Sequence, residues 1–316
     1  MFSSVIGLLS LTGFTFAQQQ WTHFDENTWA GKCTVGTQQS PIDFVYSQTR
    51  PDPKGVHIRG PLVYRGYDRV KVTARNTGYT IRWAPTRDSP VPTLSGGPLR
   101  GNYSFIDVHF HWMSEHAFEG LKYPLEIHMV HVKTGLSVAE AVKQPDGIAV
   151  IGIVAEVGVP GSSAVLNDLL PAMQFILEKS GESPVFEINL TRMFSPHPQQ
   201  YYTYHGSLTT PECAESVVWI VMPNPTLVSH ENYKNLTQPH FSGINNDRSV
   251  QPIGSRAVYR TSKMASCSHS LSPSLGSWAI FLGCFTTNMS NKFYKSLCVL
   301  GNIKRKFLGL IVVDCD

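Results

Sequence analysis

Residues Asp107–His116 read Asp-Val-His-Phe-His-Trp-Met-Ser-Glu-His, and residues Glu126–His131 read Glu-Ile-His-Met-Val-His. Five of the twelve histidines of the chain lie in this one stretch. His109 and His111 are two residues apart, so both side chains point to the same face if this segment is a β-strand. The stretch therefore predicts a strand that presents two imidazoles side by side.

A third histidine can join these two through a short chain reversal. The link from Ser114 to Pro124 contains Gly120, so the apolar run from Leu125 to Val132 can fold back beside the first strand and bring His128 with it. Three converging imidazoles form the ligand set of a catalytic zinc site, whose fourth tetrahedral position stays open. The alternative, buried and hydrogen-bonded core histidines, would be the better interpretation of a single histidine.

The composition of the whole chain indicates a globular, β-rich protein. The 316 residues are 42% hydrophobic and 16% charged, and the net charge of +3 is too small to predict nucleic-acid binding. Short alternating runs between Val56 and Trp83 read as strands, with Asn76-Thr77-Gly78 as a hairpin turn. Gly147 to Val157 is almost continuously apolar and predicts a central strand that is buried on both faces.

Both ends of the chain differ from the middle. Residues 1–17 are apolar and end in Thr-Phe-Ala, which predicts a secretory signal peptide; the run is short for a membrane anchor. Residues 263–316 form an atypical tail that predicts a disordered segment or the product of an alternative 3′ exon without a folded role. Membrane anchoring is the weaker alternative, because basic and polar residues interrupt the apolar runs. Sequons at Asn102, Asn189, Asn235 and Asn288 are compatible with a secreted, extracellular glycoprotein.

The six cysteines are divided between these regions. Cys33 and Cys213 lie in the central part, and the other four lie in the tail. In an oxidising compartment we expect Cys33 and Cys213 to form a disulfide, while two separate buried thiols are the alternative.

Several motifs, taken together, resemble the α-class carbonic anhydrases. The chain contains His-Phe-His-Trp, Ser-Glu-His, Glu-Ile-His-Met-Val-His, Tyr-His-Gly-Ser-Leu-Thr-Thr-Pro-Glu-Cys and Val-Trp-Ile-Val in this order. The resemblance covers residues 18–262. It implies a mainly β (α+β) single domain around a large, mostly antiparallel twisted sheet of about ten strands with peripheral helices.

The resemblance also implies an enzyme that hydrates CO2 reversibly to bicarbonate and a proton through zinc-bound hydroxide. His109, His111 and His128 would bind Zn²⁺, whereas His116 and His131 are expected to be structural. Thr209 would orient the hydroxide because its own hydroxyl donates a hydrogen bond to the ionised Glu115. Asp107 and Glu126, each two residues before a ligand and on the same face, would orient His109 and His128.

Substrate and inhibitor binding follow from the same resemblance. CO2 is apolar, so its pocket should be apolar; the residues that match the family's pocket are Val130, Val150, Leu208, Thr209, Thr210, Val217 and Trp219. Plain core packing is the alternative for the apolar ones. We further expect inhibition by sulfonamides and anions, no nucleic-acid partner and a monomer.

Four positions depart from the usual family pattern. Tyr79 stands where fast members carry a proton-shuttle histidine, and a tyrosine with an ordinary pKa of about 10 relays protons poorly at neutral pH. His23 and Arg82 replace a tyrosine and an asparagine, and Asp107 replaces a glutamine. We therefore predict turnover that is limited by proton transfer, with His23 as a candidate substitute shuttle. A catalytically weak binding module is the alternative function, although the zinc histidines, Glu115 and Thr209 are intact.

Overall fold

The computed structural model describes residues 21–52, 58–158, 166–169, 172, 175, 183–237, 245–261, 284–285 and 297–298. The predicted signal peptide and almost all of the predicted tail lie outside these residues, so both stay predictions. The chain divides into two compact units, Met1–Ala265 and Ser266–Asp316. In the second unit the described residues form two short antiparallel strands, Cys284–Phe285 and Leu297–Cys298.

The described elements of the first unit are mainly strands. In chain order the strands are β1 (Asp43–Phe44), β2 (Arg50–Pro51), β3 (Arg59–Arg65), β4 (Val70–Asn76), β5 (Ile81–Pro85), β6 (Thr93–Gly97), β7 (Tyr103–Trp112), β8 (Ala117–Phe118), β9 (Leu121–Lys122), β10 (Leu125–Lys133), β11 (Ile148–Gly158), β12 (Phe186–Ile188), β13 (Tyr202–Gly206), β14 (Val217–Ser229) and β15 (Tyr259–Arg260). The α-helices are α1 (Lys32–Val35), α2 (Val138–Ala141) and α3 (His230–Thr237). Single 3₁₀ turns occupy Glu26–Thr28, Tyr46–Gln48 and Leu190–Met193.

One sheet of twelve strands organises the described part of this unit. Its order is β12-β4-β5-β7-β10-β11-β14-β13-β15-β2, with β6 pairing both β7 and β3. Within it β11–β14 and β15–β2 pair in parallel, and the other described pairings are antiparallel. The predicted mainly β architecture around a large, mostly antiparallel sheet is confirmed, with slightly more strands than expected.

The predicted hairpin before the central strands is formed by β4 and β5. The side chains of Val72 and Ala74 on β4 and of Trp83 on β5 are fully buried. The alternate residues of both strands point to the opposite face of the sheet. This period of two is what a half-buried sheet requires. Gly78 in the turn has a φ of 84°, which only glycine adopts without steric cost.

The central strand β11 carries apolar side chains on both faces, as its sequence predicted. Ile151 and Ile153 belong to a large hydrophobic cluster on one side of the sheet. Val150 belongs to a second, smaller cluster with Trp219. Each fully buried side chain of this size contributes about 1.5–3 kcal/mol to folding. The sheet is therefore held between two cores, and the smaller one borders the candidate site.

The reversal between β7 and β10 brings the histidine strands together. Met113 N donates to Pro124 O at 2.9 Å and Ser114 N donates to Tyr123 O at 2.7 Å. The two strands then pair antiparallel, with His128 directly opposite His109 and Glu126 opposite His111. The predicted strand pair is confirmed, and its register places all four side chains on one face of the sheet.

Two further features bear on the sequence predictions. Cys33 and Cys213 form a disulfide bond that joins the N-terminal segment to the loop before β14. No helix within the described residues is both long enough and apolar enough to cross a membrane.

Candidate active site

Three buried histidines meet on the face of the sheet that carries the smaller core. His109, His111 and His128 each offer one ring nitrogen, and these nitrogens all lie within 4.8 Å of one another. Two come from β7 and one from the adjacent β10, as the spacing predicted. Such a cluster of imidazoles is the donor set that zinc prefers in catalytic sites.

The opposite ring nitrogen of each histidine is held by an acceptor. His109 Nδ1 lies 2.7 Å from Asp107 Oδ1, and His128 Nε2 lies 2.9 Å from Glu126 Oε1. His111 Nδ1 lies 2.8 Å from the backbone carbonyl of Asn246. These contacts fix which nitrogen carries the proton, so the free nitrogens are Nε2 of His109, Nε2 of His111 and Nδ1 of His128.

The free nitrogens fit a metal ion better than they fit a hydrogen-bonded core. His111 Nε2 is buried and has no hydrogen-bond partner within the described residues, which would cost free energy if nothing bound there. Burial lowers the pKa of His111 well below its usual range, and burial also lowers the pKa of His128. Both imidazoles are therefore neutral at pH 7, as metal ligands must be.

Glu126 is the centre of a larger hydrogen-bond network than its position in the sequence indicated. Its Oε1 also lies 2.8 Å from His116 Nδ1, and its Oε2 accepts from His116 N at 2.9 Å. Burial alone would raise the pKa of Glu126, but the imidazoles of His116 and His128 hold that pKa well below its usual range. His116, Glu126 and His128 bind one another, so we do not interpret this second cluster as a metal site.

The two histidines that were expected to be structural do have structural contacts. His116 Nε2 lies 2.7 Å from Tyr204 Oη, which in turn donates to Ser40 Oγ. His131 lies on the opposite face from His128, and its Nε2 is 2.6 Å from Tyr67 Oη. Both ring nitrogens of His116 are engaged by Glu126 and Tyr204, and both ring nitrogens of His131 by Ala149 O and Tyr67.

Glu115 and Thr209 are buried close to the histidines. Glu115 Oε1 accepts from Arg248 N at 3.0 Å. Burial raises the pKa of Glu115 well above its usual range, while hydrogen bonds from Thr209 and from Arg248 act in the opposite direction. Glu115 Oε2 has no partner of strict hydrogen-bond geometry within the described residues.

The loop that carries Thr209 is tied down at several points. Leu208 N donates to Ala214 O at 3.0 Å, and Cys213 N donates to Thr210 O at 2.9 Å. Gln39 Nε2 donates to Cys213 O at 3.2 Å, and the disulfide fixes the same residue covalently. A hydroxyl group on this loop is thus held in a defined position.

The predicted apolar wall is a continuous surface beside the histidines. Val130 pairs with Val150 across β10 and β11, and Val150 pairs with Trp219 across β11 and β14. Val217 belongs to the same cluster, and Leu208 packs against it. The ring of Trp219 lies 4.9 Å from that of His128. These residues belong to the smaller core or pack against it, next to His128, and their role as a CO2 pocket stays a prediction.

A cleft with about 200 Å³ of free space leads from the surface to His109 and His111. Tyr79 in its wall stacks on Trp21, with ring centroids 4.0 Å apart, and its hydroxyl donates to Trp21 O at 2.9 Å. His23 lies in the same wall, and burial lowers the pKa of His23 to about 4. His23 is therefore neutral and a poor proton carrier at pH 7, which argues against its suggested role as a substitute shuttle.

Sequence reasoning did not single out three residues that the site uses. Asn246 orients His111 through its carbonyl, and its side chain accepts from Trp112 N at 2.9 Å. Arg248 contacts Glu115, and its guanidinium donates to Gln39 Oε1 and Ser40 O. Tyr204 closes the His116 network. The only sequence signal for Asn246 and Arg248 was that they lie within residues 18–262, the part of the chain that resembles the family.

Fold and site together define a zinc-type metalloenzyme, with three histidines on a twisted β-sheet and a cleft that leads to them. The chain belongs to the eukaryotic-type carbonic anhydrase family, whose family model matches residues 17–262. It is 33% identical over 267 residues to "Putative carbonic anhydrase 5" of Caenorhabditis elegans, covering 76% of this chain and 82% of that protein.

Two vertebrate relatives are also named carbonic anhydrases. The chain is 34% identical over 238 residues to "Carbonic anhydrase 3" of Rattus norvegicus, covering 71% of this chain and 89% of the relative. It is 32% identical over 239 residues to "Carbonic anhydrase 7" of Homo sapiens, with 71% and 88% covered. The chain is accordingly an enzyme of the carbonate dehydratase type.

Proposed function

We propose that this chain catalyses the zinc-dependent, reversible hydration of CO2 at the cluster of His109, His111 and His128. The observation that carries the proposal is the convergence of three buried ring nitrogens within 4.8 Å while each opposite nitrogen is held by an acceptor. A structural zinc site would need a fourth protein ligand. Within the described residues no further histidine, cysteine or carboxylate joins this group of three.

Zinc held by the three histidines would supply a Lewis acid that lowers the pKa of water to about 7, the known value for carbonic anhydrases. The protein contributes the three neutral imidazoles and fixes their orientation. Asp107 and Glu126 accept the outer N–H groups of His109 and His128, which makes both rings stronger donors.

Thr209 and Glu115 orient the nucleophile. An ionised Glu115 can only accept hydrogen bonds, so the Thr209 hydroxyl must donate to it. The lone pairs of the Thr209 oxygen are then left to accept a hydrogen bond from the nucleophile, which directs a lone pair of that nucleophile toward CO2. A divalent cation held by the three histidines would favour the ionised form of Glu115, against the effect of its burial.

In this proposal CO2 binds at the apolar wall. Val130, Val150 and Trp219 form a surface without hydrogen-bonding groups aimed at the substrate, because the Trp219 N–H already donates to Ser207 O at 3.0 Å. Transfer from water to such a surface lowers the free energy of apolar CO2. Transfer of the charged bicarbonate ion raises the free energy, so bicarbonate is released. Thr210 lines the cleft, and its hydroxyl can donate a hydrogen bond to an oxygen atom of CO2 or bicarbonate.

Proton export is the slow step in this proposal. The Tyr79 hydroxyl is engaged with Trp21 O, and the His23 imidazole is neutral at pH 7. Neither group can pick up a proton and release it to solvent efficiently near neutral pH. Buffer molecules that reach the cleft would therefore carry the proton.

We further propose that the enzyme works outside the cell. The Cys33–Cys213 disulfide is the kind of bond that persists in oxidising compartments. The sequon residue Asn102 is exposed at the start of β7, where a glycan could be attached. Secretion into culture medium, with loss of residues 1–17 measured by N-terminal sequencing, would test this part.

The test of the main proposal compares metal content with CO2 hydration. Zinc-loaded protein should hydrate CO2, and a sulfonamide or removal of the metal should abolish the activity. His109→Asn should lose both zinc and activity, whereas His197→Asn, at an exposed histidine, should retain both. Stoichiometric zinc without hydration above the buffer rate would instead identify a binding module.

A further inference from the structure

Two arginines stand side by side next to the cleft. Arg75 on β4 and Arg82 on β5 are direct partners in the antiparallel hairpin. Their neighbours Ala74 and Trp83 are fully buried, so the two arginine side chains lie on the opposite, exposed face. Direct cross-strand partners have Cβ atoms about 4.5–5.5 Å apart, and like charges at this spacing destabilise a sheet. The arrangement therefore favours a bound negative charge.

Arg82 extends the pair into the cleft. It is one of the residues that line the cleft, together with His109. Trp83 pairs with Val108 on β7, and continuing this antiparallel register puts Arg82 beside His109. Arg75, Arg82 and His109 thus form a row across three strands, from the exposed hairpin to the histidine cluster.

The positive charge of this row is only partly neutralised. Arg82 Nη1 lies 3.8 Å from Asp107 Oδ2, which is an ion pair without a hydrogen bond. The other oxygen of Asp107 is engaged with His109 at 2.7 Å. Arg75 takes part in none of the ion pairs formed among the described residues. Of the two guanidinium groups, only that of Arg82 has a carboxylate partner within the described residues, and the Arg82 side chain remains 50% exposed to solvent.

We propose that Arg75 and Arg82 form a binding site for a doubly charged oxyanion at the mouth of the cleft, outside the three-histidine centre. Each planar guanidinium presents parallel N–H groups that match two oxygens of a tetrahedral or carboxylate anion. A doubly charged oxyanion satisfies both groups at once and removes their mutual repulsion. Chloride is a single atom and has no pair of oxygens to match the paired N–H groups of a guanidinium, so it should bind there far more weakly.

The experiment uses the metal-free full chain, so that no anion can bind to a metal. Calorimetric titration with sodium sulfate is done at pH 8, where histidines are neutral, with sodium chloride holding the ionic strength constant. Arg82→Gln and Arg75→Gln should each weaken sulfate binding at least tenfold, because a charge-assisted bidentate contact is lost. Arg65→Gln makes the same charge change at an exposed arginine of β3 and should leave sulfate affinity unchanged.

Thermal unfolding gives a second and independent readout. Sulfate should raise the unfolding midpoint of the wild-type chain and of Arg65→Gln but not that of the other two variants. Without sulfate, Arg75→Gln should be at least as stable as wild type, because the like-charge pair is gone. Wild-type sulfate affinity in both cleft variants, or an equal loss in Arg65→Gln, would overturn the proposal. Neither measurement involves zinc or CO2, so the proposed hydration activity could fail while this site stands.

Discussion

Removal of the Cys33–Cys213 disulfide should reduce both the stability of the domain and the order of the loop that carries Thr209. The two cysteines are 180 residues apart in the sequence, so the bond closes most of the domain into one loop. Cys213 is fully buried, and Gln39 donates to its carbonyl. The double variant Cys33→Ser/Cys213→Ser tests this without a reducing agent.

The expected loss follows from the length of the closed loop. In the chain-entropy model a loop of this length restricts the unfolded chain by about 5 kcal/mol, which is an upper bound. Measured losses for native disulfides are about 2–5 kcal/mol. Because whole domains are stable by only about 5–15 kcal/mol, the variant should unfold at a clearly lower denaturant concentration.

Urea denaturation followed by tryptophan fluorescence measures the free energy of unfolding by linear extrapolation. The matched control replaces the cysteines of the tail by serine and should retain wild-type stability of the domain; these are Cys267, Cys284, Cys298 and Cys315. The CO2 hydration rate of the folded double variant should also fall, because Thr209 is less firmly held. A loss below about 1 kcal/mol would refute the reasoning from loop length.

Three further predictions concern single side chains. Asp107→Gln keeps an acceptor for His109 but removes the charge, so the midpoint of the pH–rate profile should move to lower pH by less than about one unit; an unmoved midpoint would contradict the effect. Tyr79→His should raise turnover in weak buffer by roughly tenfold or more, and imidazole buffer should raise wild-type turnover; no response to either would show that proton transfer is not limiting. Burial lowers the pKa of His131 to about 4, so the unfolded chain binds more protons between that pH and the ordinary value of about 6.5. Stability should therefore be complete above pH 6.5 and fall toward pH 4, and His131→Gln should show a smaller difference in urea midpoint between pH 7 and pH 5.

Much of the site could be predicted because its parts are close in sequence. The spacing of two between His109 and His111 and the short link before β10 already define which side chains share a face. The same parity argument identifies Asp107 and Glu126 as partners of the ligands, and both contacts are present. Local periodicity is enough for these residues because a strand has a fixed alternation.

The remaining partners could not be predicted from local pattern. His111 is oriented by the backbone carbonyl of Asn246, which is 135 residues away in the sequence. Every residue type has such a carbonyl, so the sequence does not mark this partner. Whether His23 could carry protons depended on its burial against Trp21 and Trp29, which its sequence position does not reveal.

Hydrophobic alternation and ligand spacing are local properties, so the strand-rich fold class, the three histidines and their carboxylate partners could be read from the amino-acid sequence. The folded chain was needed to show how Thr209 meets Glu115, how the disulfide holds that loop, and that Arg75 and Arg82 are adjacent beside the cleft. These relations depend on strand register and on contacts between distant segments. Each cross-strand pair contributes only about 0.2–1 kcal/mol, so many residues together set the register and no single stretch of sequence records it.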